Sequence, residues 1–195
     1  MEEIVAFDQE ITLWLNSHYS PFGDAFWSTM SSIKIWIPLY VAVCAILIWR
    51  LGWKKGLIAI ACIALAFFFN ERLNNLIKDI VERVRPCNDP RMIAAGIHIL
   101  EEGGGWSFPS GHACNCFGFA FGSLLSLNNF DKKYNWTWYS VFILLWATLV
   151  GISRVMVARH FCGDVIVGAL IGSAMGIGWY FIAKAVISRV FPENQ

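Results

Sequence analysis

Residues 165–183 read VIVGALIGSAMGIGWYFIA, without a single charged side chain, in a chain of 195 residues. A helix that crosses the hydrocarbon core of a bilayer needs about 20 mostly apolar residues. The stretch therefore predicts a membrane-spanning helix. Gly168, Gly172 and Gly176 recur at every fourth position and share one face, which indicates a seam where a second helix packs closely.

Four earlier stretches are also long and mostly apolar; four of the five stretches are clear and one is weaker, so the sequence predicts about five membrane-spanning helices. The second of them is apolar as far as Phe69 and polar beyond it. The four stretches are residues 33–51, 56–77, 109–127 and 136–152.

The segment before the first predicted span has a different pattern. Residues 5–14 and 21–30 are typical of short amphipathic helices, and because neither is long enough to cross a bilayer we place both at the membrane interface. We therefore expect an all-α, polytopic membrane helical bundle. It forms a single domain over residues 1–195, with an interfacial part (1–32) and a transmembrane core (33–195).

The composition excludes two other classes of protein. Hydrophobic residues make up 57% of the chain and charged residues 15%, far from the composition of a disordered chain. Fifteen Lys and Arg against fourteen Asp and Glu leave a formal net charge of +1, so the chain lacks the basic surface that nucleic-acid binding requires. A mean hydropathy of +0.54 indicates lipid surroundings.

The distribution of charge predicts the orientation in the membrane. Residues 1–33 contain five acidic residues and no Lys or Arg, which favours an exported N-terminal part. Five spans then place seven basic residues on the inside, as the positive-inside rule requires, but also eight on the outside. The rule orients the chain only if several of the outer basic residues have another role.

Lys78 and Arg85, followed by Pro86, form the first of three polar clusters that this topology places at the outer surface. Seven residues make almost two helical turns, so both cations are expected on one helix face, with Pro86 marking the end of the helix. Two stacked cations repel each other unless an anion lies between them. Taken alone, the cluster is explained equally well by long side chains that reach for lipid headgroups.

Pro109-Ser110-Gly111-His112 forms the second cluster, at the start of the third predicted span. Pro suits the first turn of a helix, and Ser and Gly leave backbone N–H groups accessible. The cluster therefore predicts an anion site at a helix N-terminus, where His112 can supply a proton. One His at a helix start is, by itself, more often a capping or interfacial residue.

Ser153-Arg154, His160 and Asp164 form the third cluster. His160 and Asp164 are four residues apart, so on a helix they are neighbours on one face. A carboxylate against one imidazole nitrogen fixes the tautomer and leaves the other nitrogen free as a nucleophile or base. Arg154 adds a planar donor fork that suits phosphate oxygens. The alternative is a structural His–Asp pair, but three ionisable clusters at one membrane surface favour a functional site.

The three clusters, complete and in this order over residues 78–164, resemble the three-part signature of the type 2 phosphatidic acid phosphatase (PAP2) superfamily. The resemblance implies an all-helical membrane fold with the site at its outer face, and metal-independent hydrolysis of a phosphomonoester or diphosphate through a phosphohistidine. It implies no cofactor. The chain departs from the common six-span pattern of the family, because short interfacial helices replace the usual first span.

The resemblance also implies a role for each matching position. His160 corresponds to the nucleophile, Asp164 to its orienting partner and His112 to the acid that protonates the leaving oxygen. The groups that correspond to the phosphate clamp are Lys78, Arg85, Arg154, Ser110 and the N–H of Gly111.

Six cysteines give two further hypotheses, and neither is favoured. His112, Cys114 and Cys116 do not suggest a metal site, because residues two apart on a helix point to different sides and structural zinc takes four well-spaced ligands. Cys87 directly follows the first cluster and Cys162 lies within the third, between His160 and Asp164, but a bridge requires Cα atoms roughly 4.4–6.8 Å apart. Two unpaired thiols are the favoured interpretation.

The function expected is that of a lipid phosphatase at the outer, periplasmic face of a bacterial inner membrane, with the bilayer and a lipid phosphate as its partners. The candidate substrates, in order, are undecaprenyl diphosphate, lipid A phosphate, and phosphatidylglycerol phosphate or phosphatidate. A lipid phosphotransferase of the same superfamily and a non-catalytic headgroup-binding scaffold are the alternatives. A vanadium haloperoxidase shares the anion clamp, but those enzymes are soluble. The oligomeric state stays open.

Overall fold

Helices account for nearly all the regular structure in residues 2–192, the part of the chain that the computed structural model describes. Eight α-helices and one short 3-10 helix (Pro86–Asn88) occur there, with no β-strand. The all-α prediction is confirmed. The α-helices are α1 (Glu2–Asn16), α2 (Pro21–Ser31), α3 (Ile33–Leu51), α4 (Trp53–Val81), α5 (Pro90–Ala94), α6 (Gly111–Phe130), α7 (Thr137–Met156) and α8 (Cys162–Val190).

Four segments within residues 2–192 are long and apolar enough to cross a membrane: α3, α7, α8 and Trp53–Ala94, which contains α4. The first predicted span has the same bounds as α3. The span predicted at residues 109–127 corresponds to α6, which is long enough but less apolar than the other four. Since α6 contacts α3, α4, α7 and α8, its side chains face protein and need not be lipid-soluble.

The glycines of α8 form the predicted packing seam, and the partner helix is α6. A Cβ at Gly168, Gly172 or Gly176 would lie 2.5 Å or less from a backbone carbonyl oxygen of α6 or of the residue that caps it. Only hydrogen fits there, so the two backbones approach as closely as small residues allow in a membrane. This contact fixes the start of α6 against the start of α8, where the second and third polar clusters lie.

The close approach of α6 and α8 gives a testable expectation for stability. Gly172→Ala adds a methyl group against the backbone at Cys114, and overpacking of this kind costs about 1–3 kcal/mol. We expect the unfolding midpoint in detergent to fall by about 2–4 °C per kcal/mol lost. Gly178→Ala is the matched control, because no heavy atom lies within 4 Å of its added Cβ. Equal midpoints for the two variants would contradict the seam.

The N-terminal helices α1 and α2 pack against the bundle, with α1 contacting α7 and α8. The inward face of α1 is polar: Thr12 and Asn16 are buried. Its outward face carries large apolar side chains, with Ile4 74% and Phe7 65% exposed, and also the exposed carboxylates of Glu3 and Glu10. Such a mixture of apolar and charged side chains suits a helix at the membrane interface.

Candidate active site

A cavity of about 330 Å³ lies between α3, α4, α6 and the turn that precedes α8. Its walls include six of the predicted site residues, brought together from all three polar clusters. Ser110 and Asp164 are fully buried behind it. The charged and polar side chains that line the cavity are Glu71, Lys78, Arg85, His112, Asn115, Arg154, Arg159 and His160.

The first cluster reaches the cavity by a different route from the one predicted. Helix α4 ends at Val81, and Glu82 adopts a left-handed conformation with φ of 49°. Arg85 therefore lies in an extended segment, with φ of −74° and ψ of 151°, and does not share a helix face with Lys78. The prediction of one continuous helix up to Pro86 is wrong, because the residue before Pro favours extended backbone and the chain leaves the helix earlier.

Arg85 is held in place by backbone carbonyl groups. Its Nε donates to the oxygen of Gly104 (3.0 Å) and its Nη1 to the oxygen of Arg159 (3.0 Å). The same Nη1 lies 3.2 Å from Nε2 of His160. Because a guanidinium group only donates, Nε2 of His160 must accept in this contact, which leaves the ring proton on Nδ1.

His160 and Asp164 also differ from the prediction, which placed them on one face of a helix. Helix α8 begins at Cys162, so His160 lies in the preceding turn and Asp164 in the first turn of the helix. The two side chains still face each other, with His160 Nδ1 3.6 Å from Asp164 Oδ2. The contact arises because the Asp164 carboxylate folds back and accepts the N–H of Phe161 (2.9 Å).

Further donors satisfy the buried Asp164 carboxylate. The Ser107 hydroxyl donates to Oδ2 and lies 3.5 Å from Nδ1 of His160. Arg83 Nη1 donates to Oδ1 at 2.7 Å. A buried carboxylate with several donors stays ionised, so it can face the protonated Nδ1 of the imidazole and fix the orientation of the ring.

Burial lowers the pKa of His160 to about 4. At neutral pH the imidazole of His160 is therefore uncharged. Together with the Nδ1 proton on the Asp164 side, this leaves an unprotonated Nε2 with its lone pair at the cavity. The arrangement meets the requirements for a nitrogen nucleophile.

The second cluster forms the N-terminus of α6, as predicted, but the helix begins two residues later than expected. Ser110 is the N-cap, and its hydroxyl accepts the N–H of Ala113 (3.4 Å). Pro109 lies before the cap and not in the first turn. The N–H of Ser110 donates to the backbone oxygen of Asp164 (2.9 Å), which ties the start of α6 to the start of α8. His112 lies in the first turn and faces the cavity.

Arg154 extends from the last turn of α7 and is almost fully buried. Its Nη1 donates to the hydroxyl of Ser31 and to Oε2 of Glu101 (3.2 Å). Its Nε contacts no hydrogen-bond acceptor in residues 2–192, and the same holds for Nε of Arg159. Both residues line the cavity, and guanidinium groups at a cavity suit an anionic ligand.

Several cavity residues lie outside the three sequence motifs. Arg159 is a further cation, although its position next to His160 carries no spacing signal. Glu71 and Asn115 form a hydrogen bond of 2.6 Å at the cavity wall. The seven-residue interval between Glu71 and Lys78 places both on one face of α4 and is a signal that the sequence offered. No local pattern points to Ser107.

The cysteines form no disulfide in the part of the chain that the structure describes. All six are free thiols, and Cys87 and Cys162 are not bridged. Cys114 and Cys116 are buried in α6. Within residues 2–192, no group of three or more His, Cys, Asp or Glu side chains is arranged to hold a metal ion.

Comparison with known proteins agrees with these motifs. The sequence profile of the PAP2 superfamily matches residues 55–187. A lipid A 4'-phosphatase from Bacteroides thetaiotaomicron is 37% identical over 186 residues, which cover 94% of this chain and 80% of that protein.

Two solved structures share the fold. The transmembrane PAP2-type phosphatidylglycerolphosphate phosphatase from Bacillus subtilis superposes with a TM-score of 0.71 at 22% identity, covering 100% of this chain and 90% of that one. LpxE from Aquifex aeolicus superposes with a TM-score of 0.66 at 25% identity, covering 87% and 92% of the two chains.

Proposed function

Since this chain belongs to the PAP2 superfamily and is a multi-pass membrane phosphatase of that type, we propose that it hydrolyses a lipid phosphate through a phosphohistidine at His160. One observation carries the proposal: Nε2 of His160 accepts from Arg85 at the cavity while Nδ1 faces the buried Asp164. The nucleophile, its orienting carboxylate and a cation for the phosphate thus meet at one wall of the cavity.

In the first half of the reaction, the Nε2 lone pair attacks the phosphorus atom. A nitrogen–phosphorus bond forms as the bond to the lipid oxygen breaks, and His112, which enters the step protonated beside the bound phosphate dianion, gives its proton to that oxygen. Asp164 stabilises the positive charge that develops on the imidazole of His160.

In the second half, a water molecule attacks the phosphohistidine. His112, deprotonated by the first step, takes a proton from this water, the nitrogen–phosphorus bond breaks, and inorganic phosphate leaves. The nucleophile and His112 both return to their starting protonation states, so one water is consumed for each phosphate released.

Positive charge around the phosphate supplies the remaining stabilisation, because phosphoryl transfer depends mainly on positioning and on neutralising the equatorial oxygens. We assign this role to the predicted clamp and add Arg159, a further cation that lines the same cavity. The clamp then consists of Lys78, Arg85, Arg154, Arg159, Ser110 and the N–H of Gly111.

We propose a phosphate monoester of the lipid A class as the substrate. This places lipid A phosphate ahead of undecaprenyl diphosphate, which headed the order expected from sequence. The reason is the 37% identity, over 94% of this chain, to a lipid A 4'-phosphatase. For the same reason we propose a bacterial inner membrane with the cavity open to the periplasmic side, in the orientation that the acidic residues 1–33 favour.

The proposal is tested by phosphate release from purified lipids in detergent. The panel contains lipid A, undecaprenyl diphosphate, phosphatidylglycerol phosphate and phosphatidate. We expect the highest kcat/KM with lipid A and free inorganic phosphate as the product. Transfer of the phosphate group to an acceptor lipid would identify a phosphotransferase. If no lipid in the panel releases phosphate, the proposal is contradicted.

The same assay gives an expectation about metal ions and vanadate. We expect EDTA to leave the rate unchanged, because the cationic side chains already supply the charge around the phosphate. We expect vanadate to inhibit, since a trigonal-bipyramidal vanadate on His160 would mimic the transition state. A loss of activity in EDTA that magnesium restores would contradict the clamp assignment.

A further inference from the structure

Helix α1 turns a row of polar side chains toward the segment that carries His160. Asp8, Thr12 and Asn16 recur at every fourth position and therefore lie on one helix face. Each of the three makes a hydrogen bond to a residue more than 130 positions away in the sequence. These bonds lie at the two ends of the turn between α7 and α8, at Met156 on one side and at Cys162 and Gly163 on the other.

At the C-terminal end of this turn, α1 caps the first turn of α8. The N–H of Gly163 donates to Asp8 Oδ1 at 2.7 Å, and the N–H of Cys162 donates to Thr12 Oγ1 at 3.0 Å. The first N–H groups of a helix have no acceptor within the helix, and a carboxylate there is favoured by the helix dipole. A different helix thus supplies the acceptors for two N–H groups in the first turn of α8.

At the N-terminal end of the turn, the Asn16 side chain bonds the backbone of Met156 and of His98. Its Nδ2 donates to the backbone oxygen of Met156 at 3.0 Å and to that of His98 at 3.0 Å, while its Oδ1 accepts the N–H of His98. One face of α1 therefore holds both ends of the turn in which His160 lies.

Asp8 makes a second contact that leads directly to the candidate active site. Arg83 Nη2 donates to Asp8 Oδ2 at 2.8 Å, and Arg83 Nη1 donates to Asp164 Oδ1 at 2.7 Å. The guanidinium group also lies 3.8 Å from the ring centre of Phe161. Arg83 is thus fixed between two carboxylates, one of which orients His160.

The space around Asp8 leaves little freedom for this arrangement. A Cβ on Gly163 would lie 2.8 Å from Asp8 Oδ2, so the carboxylate sits directly against the backbone of α8. Asp8 is only partly exposed, with a side-chain exposure of 14%. Ion pairs shielded from water in this way are worth more than exposed ones.

We propose that Asp8 is a positioning residue for phosphate transfer, which acts through Arg83 on Asp164 and through the amide of Gly163 on the start of α8. The proposal rests on the assignment of His160 as the nucleophile. It gives α1 a role in the reaction, although this helix contributes no side chain to the cavity. It also explains why the side of α1 that packs against the bundle is polar.

The test compares Asp8→Asn with Glu10→Gln. The asparagine side chain keeps an oxygen for the amide of Gly163 but loses the charge that holds Arg83, whereas Glu10 is an exposed carboxylate on the same helix. Hydrolysis of p-nitrophenyl phosphate in detergent is the readout, because it does not depend on which lipid is the natural substrate. We expect kcat to fall about tenfold for Asp8→Asn with KM nearly unchanged, together with a lower unfolding midpoint from the broken ion pair, and wild-type kinetics and midpoint for Glu10→Gln.

A double-mutant cycle separates this role from a merely structural one. If Asp8 acts through Arg83, then Asp8→Asn lowers kcat little further in the Arg83→Gln background. Wild-type kcat for Asp8→Asn, or additive effects on kcat in the cycle, would overturn the proposal. Failure of the wild type on lipids, with p-nitrophenyl phosphate still cleaved, would refute the proposed substrate and leave the test of Asp8 intact.

Discussion

Replacing His160 with alanine is expected to lower the rate of phosphate release more than about 10⁴-fold, since loss of a covalent nucleophile removes the main reaction path. The side chain is almost fully buried, and its unprotonated Nε2, which accepts from Arg85, lies at the cavity. Phosphate release from purified protein in detergent is the measurement.

His18→Ala is the matched control for this variant, because His18 is an exposed histidine on the segment between α1 and α2. We expect it to keep wild-type activity. The unfolding midpoint of both variants shows whether the bundle is retained. Activity of a folded His160→Ala protein within tenfold of the wild type would exclude His160 as the nucleophile.

Replacing Arg85 with lysine is the change with the second largest expected effect. The guanidinium group bonds two backbone oxygens through Nε and Nη1 while it contacts His160 Nε2, and a single ammonium group cannot reproduce this planar geometry. Loss of one preorganised donor for a developing negative charge costs about 10²–10³-fold in kcat. We expect a loss of this size although the positive charge is conserved.

Arg91→Lys is the control for Arg85→Lys, since Arg91 is exposed on α5 and lies outside the cavity. Steady-state kinetics with the same lipid give kcat and KM for both variants. If the two substitutions have equal effects, the bidentate geometry of Arg85 is not what the reaction uses.

Long apolar segments were predictable from the sequence because the bilayer imposes a simple length requirement. The bounds of α3 agree with the predicted first span, and α7 and α8 contain most of the fourth and fifth. Helix α6 was predicted as a span from its length, but it is less apolar than the other spans because it is surrounded by them. Its position at the centre of the bundle is a tertiary property that hydropathy does not report.

The grouping of the three polar clusters was also predictable, but the local geometry of two of them was not. Both errors assumed that a helix continues through the motif. Glu82 ends α4 before Arg85, and α8 starts only after His160. Intervals of seven and four residues are typical of side chains on one helix face. Here Lys78 and Arg85, and likewise His160 and Asp164, lie on opposite sides of a helix end. The contacts form nonetheless, because backbone turns bring the same atoms together by another path.

Contacts between residues far apart in the sequence could not be predicted from any spacing pattern. Asp8 and Gly163 are 155 positions apart, and Arg83 meets Asp164 across 81 positions. Such pairs depend on how the helices pack. The acidic N-terminal segment was interpreted only as a signal for orientation, whereas Asp8 is engaged in an ion pair beside the candidate active site.

The central claim is that phosphate passes through His160, and trapping the intermediate tests it most directly. The purified enzyme is mixed with a lipid substrate labelled with ³²P in the phosphate, quenched within the first turnover, digested, and the labelled peptide is identified. We predict label on the peptide that contains His160, none in the His160→Ala variant, and loss of the label as inorganic phosphate appears. Turnover by the wild type with no label on His160, or with label on another side chain, would contradict the claim.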